Sequence, residues 1–240
     1  MLSGIAENLG RLQELIGRAA INAGRRPEDV TLVGISKGHP AEMVVEAIEA
    51  GLRNVGENRV QEGAQKIPVV RQLLLADSAL STQHSGLTWH MVGHLQTNKA
   101  GQAIGLFDSI DSVDSVRVAE ALSRRLAGAR NIDVLLEVSL SDDPNRPGIR
   151  PHELVETAAR VLEVPGLVVR GLMTVAPLGG DARKTFRQVR VLRNQLAAAF
   201  PRVHFGVLSM GMSDDFIEAI EEGSTHVRIG TALFGPRNPR

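Results

Sequence analysis

The chain contains no cysteine and no tyrosine. The first absence excludes disulfides, thiolate catalysis and cysteine-ligated zinc, and the second leaves no phenol to act as an acid or base. No charge of either sign is in excess: Lys plus Arg and Asp plus Glu each number 27, and a formal net charge of zero argues against a nucleic acid or a membrane surface as the main partner. No apolar run reaches the roughly 18 residues of a membrane span. Near the N-terminus, Ser3, Gly4, Glu7, Asn8, Gly10 and Arg11 break up the apolar residues where a signal peptide needs an h-region. A cytoplasmic, monomeric protein with neither a nucleic-acid nor a membrane partner is expected.

What is present is a regular alternation. Ile5, Leu9, Leu12, Leu15, Ile16 and Ala19 recur at helical spacing and predict a leading helix, with Gly24 as its stop. The stretch from Thr31 to Gly38, TLVGISKG, reads as a buried strand. Further strands are predicted at Asn54 and Val55, from Leu87 to Val92, from Phe107 to Ile110, from Ile132 to Leu140, from Leu167 to Met173, from Val203 to Leu208 and from Val227 to Ile229. Between them lie helical segments opened by Pro40, near Asn58, Gln96, Ser115, Pro151 and Thr185, and one capped by Ser213 and running to Glu222. Polar loops are expected through Asp77, Ser81, Gln83 and Ser85, and from Asp142 to Gly148. Eight strands alternating with helices in 240 residues fit a closed parallel barrel better than an open doubly wound sheet. We expect one (β/α)8 TIM-type barrel over residues 1–240, with residues 1–28 as leading helix and connection.

Barrel active sites gather at the C-terminal ends of the strands, and phosphate is commonly held by the loops after strands seven and eight. That rule selects Lys37 after strand one, Gly56, Glu57 and Asn58 after strand two, and the segments LSMGMSDD and VRIGTALFG near the C-terminus. Lys37 is either a lysine snorkelling to water or a Schiff-base nucleophile. Ser209 with Gly211, and Gly230 with Thr231, are either plain strand-end turns or two hydroxyl-and-amide pairs facing one phosphate. Arg228 alternates with Val227 and Ile229 and so lies within the sheet layer, where its guanidinium needs an acceptor. Glu137 or a bound ligand could supply one.

Other patterns are weaker. His90 and His94 would form a metal pair on a helix, but on a strand they lie about 13 Å apart at roughly 3.3 Å per residue. No Walker loop or GxGxxG occurs, and Asp214 and Asp215 read as first-turn acids of the helix capped by Ser213.

Taken in order, VGISKG, VGEN, WHMVGHLQTNK, RGLM, LSMGMSDD and VRIGTALFG run nearly the full length of the chain. They closely resemble the pyridoxal phosphate homeostasis protein family, related to the barrel domain of alanine racemase. The resemblance implies a barrel that binds pyridoxal 5′-phosphate (PLP) reversibly as an aldimine on Lys37. It implies Ser209, Gly211, Gly230 and Thr231 around the phosphate, Arg228 at the pyridine nitrogen and Asn58 as a pocket wall. It further implies a non-catalytic role in intracellular PLP homeostasis, with PLP-dependent apoenzymes as recipients. A PLP-dependent amino-acid racemase is the alternative. Alanine racemases use a tyrosine and an added C-terminal β-domain, whereas this chain has no tyrosine and ends about ten residues after strand eight, a distance too short for a further domain. A cofactor-free lysine aldolase would use the same lysine but would not require Arg228. Gly38 and His39 after Lys37, and Asn145, Arg146 and Pro147 before Gly148, depart from the lysine-bearing family pattern.

Overall fold

The computed structural model describes residues 4–76, 86–126, 128, 130–141, 143, 145–177 and 179–236. The loop expected through Asp77, Ser81, Gln83 and Ser85 lies outside the described residues, as does Asp142. Eight parallel strands pair in chain order: β1 (Thr31–Ile35), β2 (Asn54–Glu57), β3 (Thr88–Met91), β4 (Ser109–Val113), β5 (Ile132–Glu137), β6 (Leu167–Met173), β7 (Val207–Ser209) and β8 (His226–Ile229). Pairing of β8 with β1 closes the barrel. Around it run α1 (Gly4–Asn22), α2 (Ala41–Glu49), α3 (Val60–Ala76), α4 (Ala100–Leu106), α5 (Val116–Leu126), α6 (Leu154–Leu162), α7 (Ala182–Ala199), α8 (Phe216–Glu221) and α9 (Thr231–Phe234). The TIM-type barrel with a leading helix is therefore the observed fold. Among the described residues no helix is long and apolar enough to cross a membrane.

Strand alternation separates an inner from an outer face. A Cβ added at Gly34 would meet Leu52 and Leu233 on the helix side, while one at Gly56 would meet Val33, Ile35 and Val92 inside the barrel. The leading helix is part of this packing. Ile5, Leu9, Leu12 and Ile16 are buried, α1 packs on α2, α8 and α9, and Asn8 Nδ2 donates to the carbonyl of Leu233 at 3.1 Å. It thus covers the seam where β8 meets β1, beside the short α8.

Several boundaries differ from expectation for identifiable reasons. The first strand stops at Ile35, because the chain turns through Ser36 to Gly38, with φ of 76° at Gly38. β4 starts at Ser109 rather than Phe107: the Phe107 amide caps α4 by donating to the Ala103 carbonyl, and the polar Asp111 and Ser112 with a register irregularity between Ile110 and Val113 break the apolar alternation further on. The seventh strand is Val207–Ser209, not Val203–Leu208, since the Val203 amide closes a turn onto Phe200. Helix α7 starts at Ala182, three residues before Thr185, because the Asp181 side chain accepts the Lys184 amide. Ser213 does not cap α8. Asp215 occupies that position, and its carboxylate accepts the Met212 amide at 2.6 Å, so Asp214 and Asp215 precede the helix instead of forming its first turn.

If α1 is integral to the core, Leu9→Ala should cost about 3 kcal/mol, within the range for a buried leucine in a site that collapses partly. The urea unfolding midpoint measures it, and an unchanged midpoint would show α1 to be a detachable appendage.

Candidate functional site

Each candidate residue comes from the C-terminal end of a strand. Lys37 lies two residues past β1, half-buried and in phase with the inward Val33 and Ile35. Asn58 follows β2 directly, and its backbone comes so close to Gly93 that a Cβ there would sit 2.1 Å from the Asn58 carbonyl oxygen. Only glycine lets the loops after β2 and β3 meet this closely. Ser209 is the buried last residue of β7. Gly211 adopts φ of 95°, a Cβ on it would sit 2.6 Å from that of Ala219, and its carbonyl accepts the Arg228 amide at 3.0 Å. Gly230 and Thr231 open α9, a short helix that the sequence reading missed because four residues are too few for a periodic signal.

Register explains why these residues converge. β1 pairs with β8 so that Val33 lies beside Arg228 and Gly34 beside Ile229, and Ser209 of β7 lies beside His226 of β8. The ends of β7, β8, β1 and β2 therefore form one continuous sector of the barrel mouth. All seven candidate residues stand in that sector.

Arg228 is 5% exposed, and its partners decide between the two readings of the sequence. Nη1 donates to Ser209 Oγ at 2.9 Å and Nη2 to the Thr174 carbonyl at 2.7 Å. Its hydrogen bonds thus go to a hydroxyl and a main-chain oxygen, not to Glu137. Burial lowers the guanidinium's pKa, and the negative charges of Asp111, Glu137 and Asp215 oppose that. Of its five donors, two are used in these bonds. Thr174, at the end of β6, was not legible beforehand, since a backbone acceptor leaves no residue-type signal.

Beneath the mouth the barrel interior holds a polar cluster beside its apolar lining. His90 Nδ1 bonds Asp111 Oδ2 at 3.1 Å, His90 Nε2 bonds Asn54 Oδ1 at 3.1 Å, and Ser109 Oγ donates to Asp111 Oδ1 at 2.5 Å. Burial resists ionisation of Asp111, but His90, Ser109 and His226 outweigh it and lower its pKa. His226 is pushed down to about 4, first by burial and then by the charges of His90 and Arg228. His94 instead faces Asp114, its Nδ1 3.0 Å from Oδ2. The two histidines serve different places, and among the described residues no cluster of three metal-ligating side chains exists.

Glu137, the last residue of β5, stands across the mouth from β1 and feels the charges of Asp114, His94 and Arg146, which line a cleft of about 590 Å³ together with Arg117 and Arg150. Its Oε2 is buried without a hydrogen-bond partner. The carboxyl is pushed up to about 7, first by burial and then by Asp114, against the pull of Arg228, His94 and Arg146. The donors and the amine of the β7–β8–β1–β2 sector can hold an anion and present a nucleophile to a carbonyl. This donor set fits a phosphorylated aldehyde.

Because folding raises the Glu137 pKa from 4.5 to about 7, the carboxyl's contribution to stability is present below 4.5 and is lost as pH rises to 7. Glu137→Gln keeps the shape and removes the titration. In ligand-free protein it should add up to about 3 kcal/mol at pH 8 and about a quarter of that at pH 5, from about 1.36 kcal/mol per pKa unit. Urea midpoints at the two pH values check this, and an equal gain at both would contradict it.

Residues 25–238 match the family model of the alanine racemase N-terminal domain. The pyridoxal phosphate homeostasis protein of Escherichia coli strain K12 is 40% identical over 241 residues, 99% of this chain and 98% of that one. Its counterpart in Aquifex aeolicus strain VF5 is 40% identical, covering 96% and 97% of the two chains. Among solved structures, PipY of Synechococcus elongatus PCC7942 with PLP bound matches with a TM-score of 0.82 at 37% identity, covering 96% of this chain and 100% of that one. An alanine racemase of Clostridium difficile 630 shares the fold, with a TM-score of 0.66 at 14% identity, covering 95% of this chain and 60% of that one. With the family model matched over residues 25–238 and identity of 40% over nearly the full length of both chains, the chain belongs to the pyridoxal phosphate homeostasis protein family.

Proposed function

We propose that this protein binds pyridoxal 5′-phosphate at the β7–β8–β1–β2 sector and holds it reversibly through Lys37, buffering or supplying it to PLP-dependent apoenzymes without turning over substrates itself. The observation that carries this reading is Arg228, a buried guanidinium anchored by Ser209 and Thr174 with donors left over beside the strand that delivers Lys37. When bound, the cofactor supplies an aldehyde carbon that condenses with a primary amine and releases water.

The chain's own groups divide the work. Ser209 accepts from Arg228, so its hydroxyl proton stays available for a phosphate oxygen. Gly211 and Gly230 let backbone approach an anion, Thr231 adds a hydroxyl from the start of α9, and Asn58 closes the side toward β2. The remaining donors of Arg228 serve the ring nitrogen. An arginine holds its proton at any ordinary pH, so it keeps that nitrogen unprotonated and the ring a weak electron sink. Such a site retains the cofactor well and activates amino acids poorly. The absence of tyrosine removes the phenol with which an alanine racemase would move a second proton.

Purified protein incubated with PLP should acquire visible absorbance, and borohydride should fix the cofactor's mass onto Lys37 in peptide mapping. A colourless, unlabelled protein would refute cofactor binding, whereas racemisation of alanine or serine at ordinary turnover would refute the non-catalytic role. Arg228→Ala should weaken cofactor retention by about tenfold or more, the scale of losing charge-assisted hydrogen bonds, while Asp214→Ala on the exposed loop before α8 should leave it unchanged. Equal retention in equilibrium dialysis would reduce Arg228 to a structural role.

A further inference from the structure

Lys66 stands on the buried stripe of α3 with Gly63, Ile67, Val70 and Leu74. Its ammonium is 7% exposed and donates to the Ser36 carbonyl at 2.6 Å, to Glu57 Oε1 at 2.6 Å and to Glu62 Oε1 at 2.9 Å. The Ser36 hydroxyl donates to the same Glu57 oxygen at 2.5 Å, and the Gly38 amide donates to Glu62 Oε1 at 2.5 Å. The backbone on both sides of Lys37 is thus held by Lys66 and Glu62 of α3, and the Ser36 side chain by Glu57 of β2. Buried ion groups of this kind seldom stabilise a fold more than apolar replacements would. Of the bonds just described, those that leave this group go to Ser36 and Gly38, the two residues flanking Lys37 in the chain.

We propose that Glu57, Lys66 and Glu62 form a clamp that presets the Ser36–Gly38 turn, so that Lys37 meets the cofactor's aldehyde without its own loop having to order at the moment of capture. The inference rests on the cofactor reading above. Lys66 and Glu62 are positioning residues: they act through the backbone of the turn, and preorganisation of the amine is what they contribute. A glutamine at 62 keeps an oxygen that can accept from both Gly38 and Lys66, whereas alanine removes it. That difference separates positioning from general support of the fold.

The test compares wild type, Glu62→Ala, Glu62→Gln and Ser36→Ala. Each is titrated with PLP for its dissociation constant, then reduced with borohydride and mapped for label on Lys37, with the thermal midpoint measured alongside. Glu62→Ala should weaken binding about tenfold and Glu62→Gln less than about threefold, with Ser36→Ala between them, as expected for loss of one buried acceptor at Glu62 or one buried donor at Ser36. Unchanged affinity and labelling with a lowered thermal midpoint would overturn the clamp, as would equal losses in Glu62→Ala and Glu62→Gln. Should Glu62→Ala fail to fold, unchanged binding by Ser36→Ala overturns it. A wild type carrying no label on Lys37 would instead refute the cofactor reading on which the clamp rests, whereas a labelled wild type with indifferent variants would refute the clamp alone.

Discussion

Hydrogen bonding between β8 and β1 is the constraint on which the candidate site depends. A parallel sheet of eight strands could lie open, with its first and last strands at opposite edges and their side chains far apart. Closure sets Val33 beside Arg228 and carries the chain onward to Lys37 on one side and to Gly230 and Thr231 on the other. An amine close to the start of the chain and a guanidinium close to its end thereby share one mouth. Helix α1 covers the seam through Leu9, Leu12 and Asn8, so the part of the chain before the first strand supports the same junction.

Charge in the barrel is arranged in depth. Arg228 is buried in the interior within reach of the charge of Asp111, which Ser109 and His90 hold, and His226 is kept neutral near pH 7 by its burial. Glu137 faces the mouth from the opposite wall with one oxygen unpartnered and its carboxyl pushed up to about 7. The guanidinium stays charged because its ordinary pKa is far above neutral, and Asp111 and Glu137 counter only part of the lowering that burial causes. The same surroundings make it a fixed donor instead of a proton source. Folding linkage reflects the arrangement: His226 contributes stability that grows as pH rises from 4 to 6.5, and Glu137 withdraws stability over nearly the same span.

Outside the barrel wall, Glu57, Lys66 and Glu62 do for the backbone what the interior does for Arg228. Glu57 points away from the interior and toward α3, where burial raises its pKa and Lys66 and Ser36 counter that rise. The turn at Lys37 therefore rests between the barrel interior that holds Arg228 and the group from β2 and α3 that bonds the turn itself.

Much of this was legible in residue order. Alternating apolar periods marked eight strands and their helices, the pairing of hydroxyl with glycine marked Ser209–Gly211 and Gly230–Thr231, and the alternation around Arg228 placed it within the sheet. Lys66 left a trace as well, a charge on the apolar stripe of α3, readable only once its partners are known. What periodicity could not supply was the hydrogen-bond partner of each buried group. Thr174 serves Arg228 through its carbonyl, Asp215 rather than Ser213 caps the loop before α8, and Asp111 disguises β4 by placing a carboxylate where a strand was expected to be apolar. By itself, then, the sequence determined the alternating architecture and which residue types stand at strand ends, because those follow from local spacing and side-chain chemistry. Only the tertiary structure decided that Arg228 pairs with Ser209 and Thr174 instead of Glu137, and that the Lys37 turn is held from α3, because such partners lie far apart in the chain and meet only when the barrel closes.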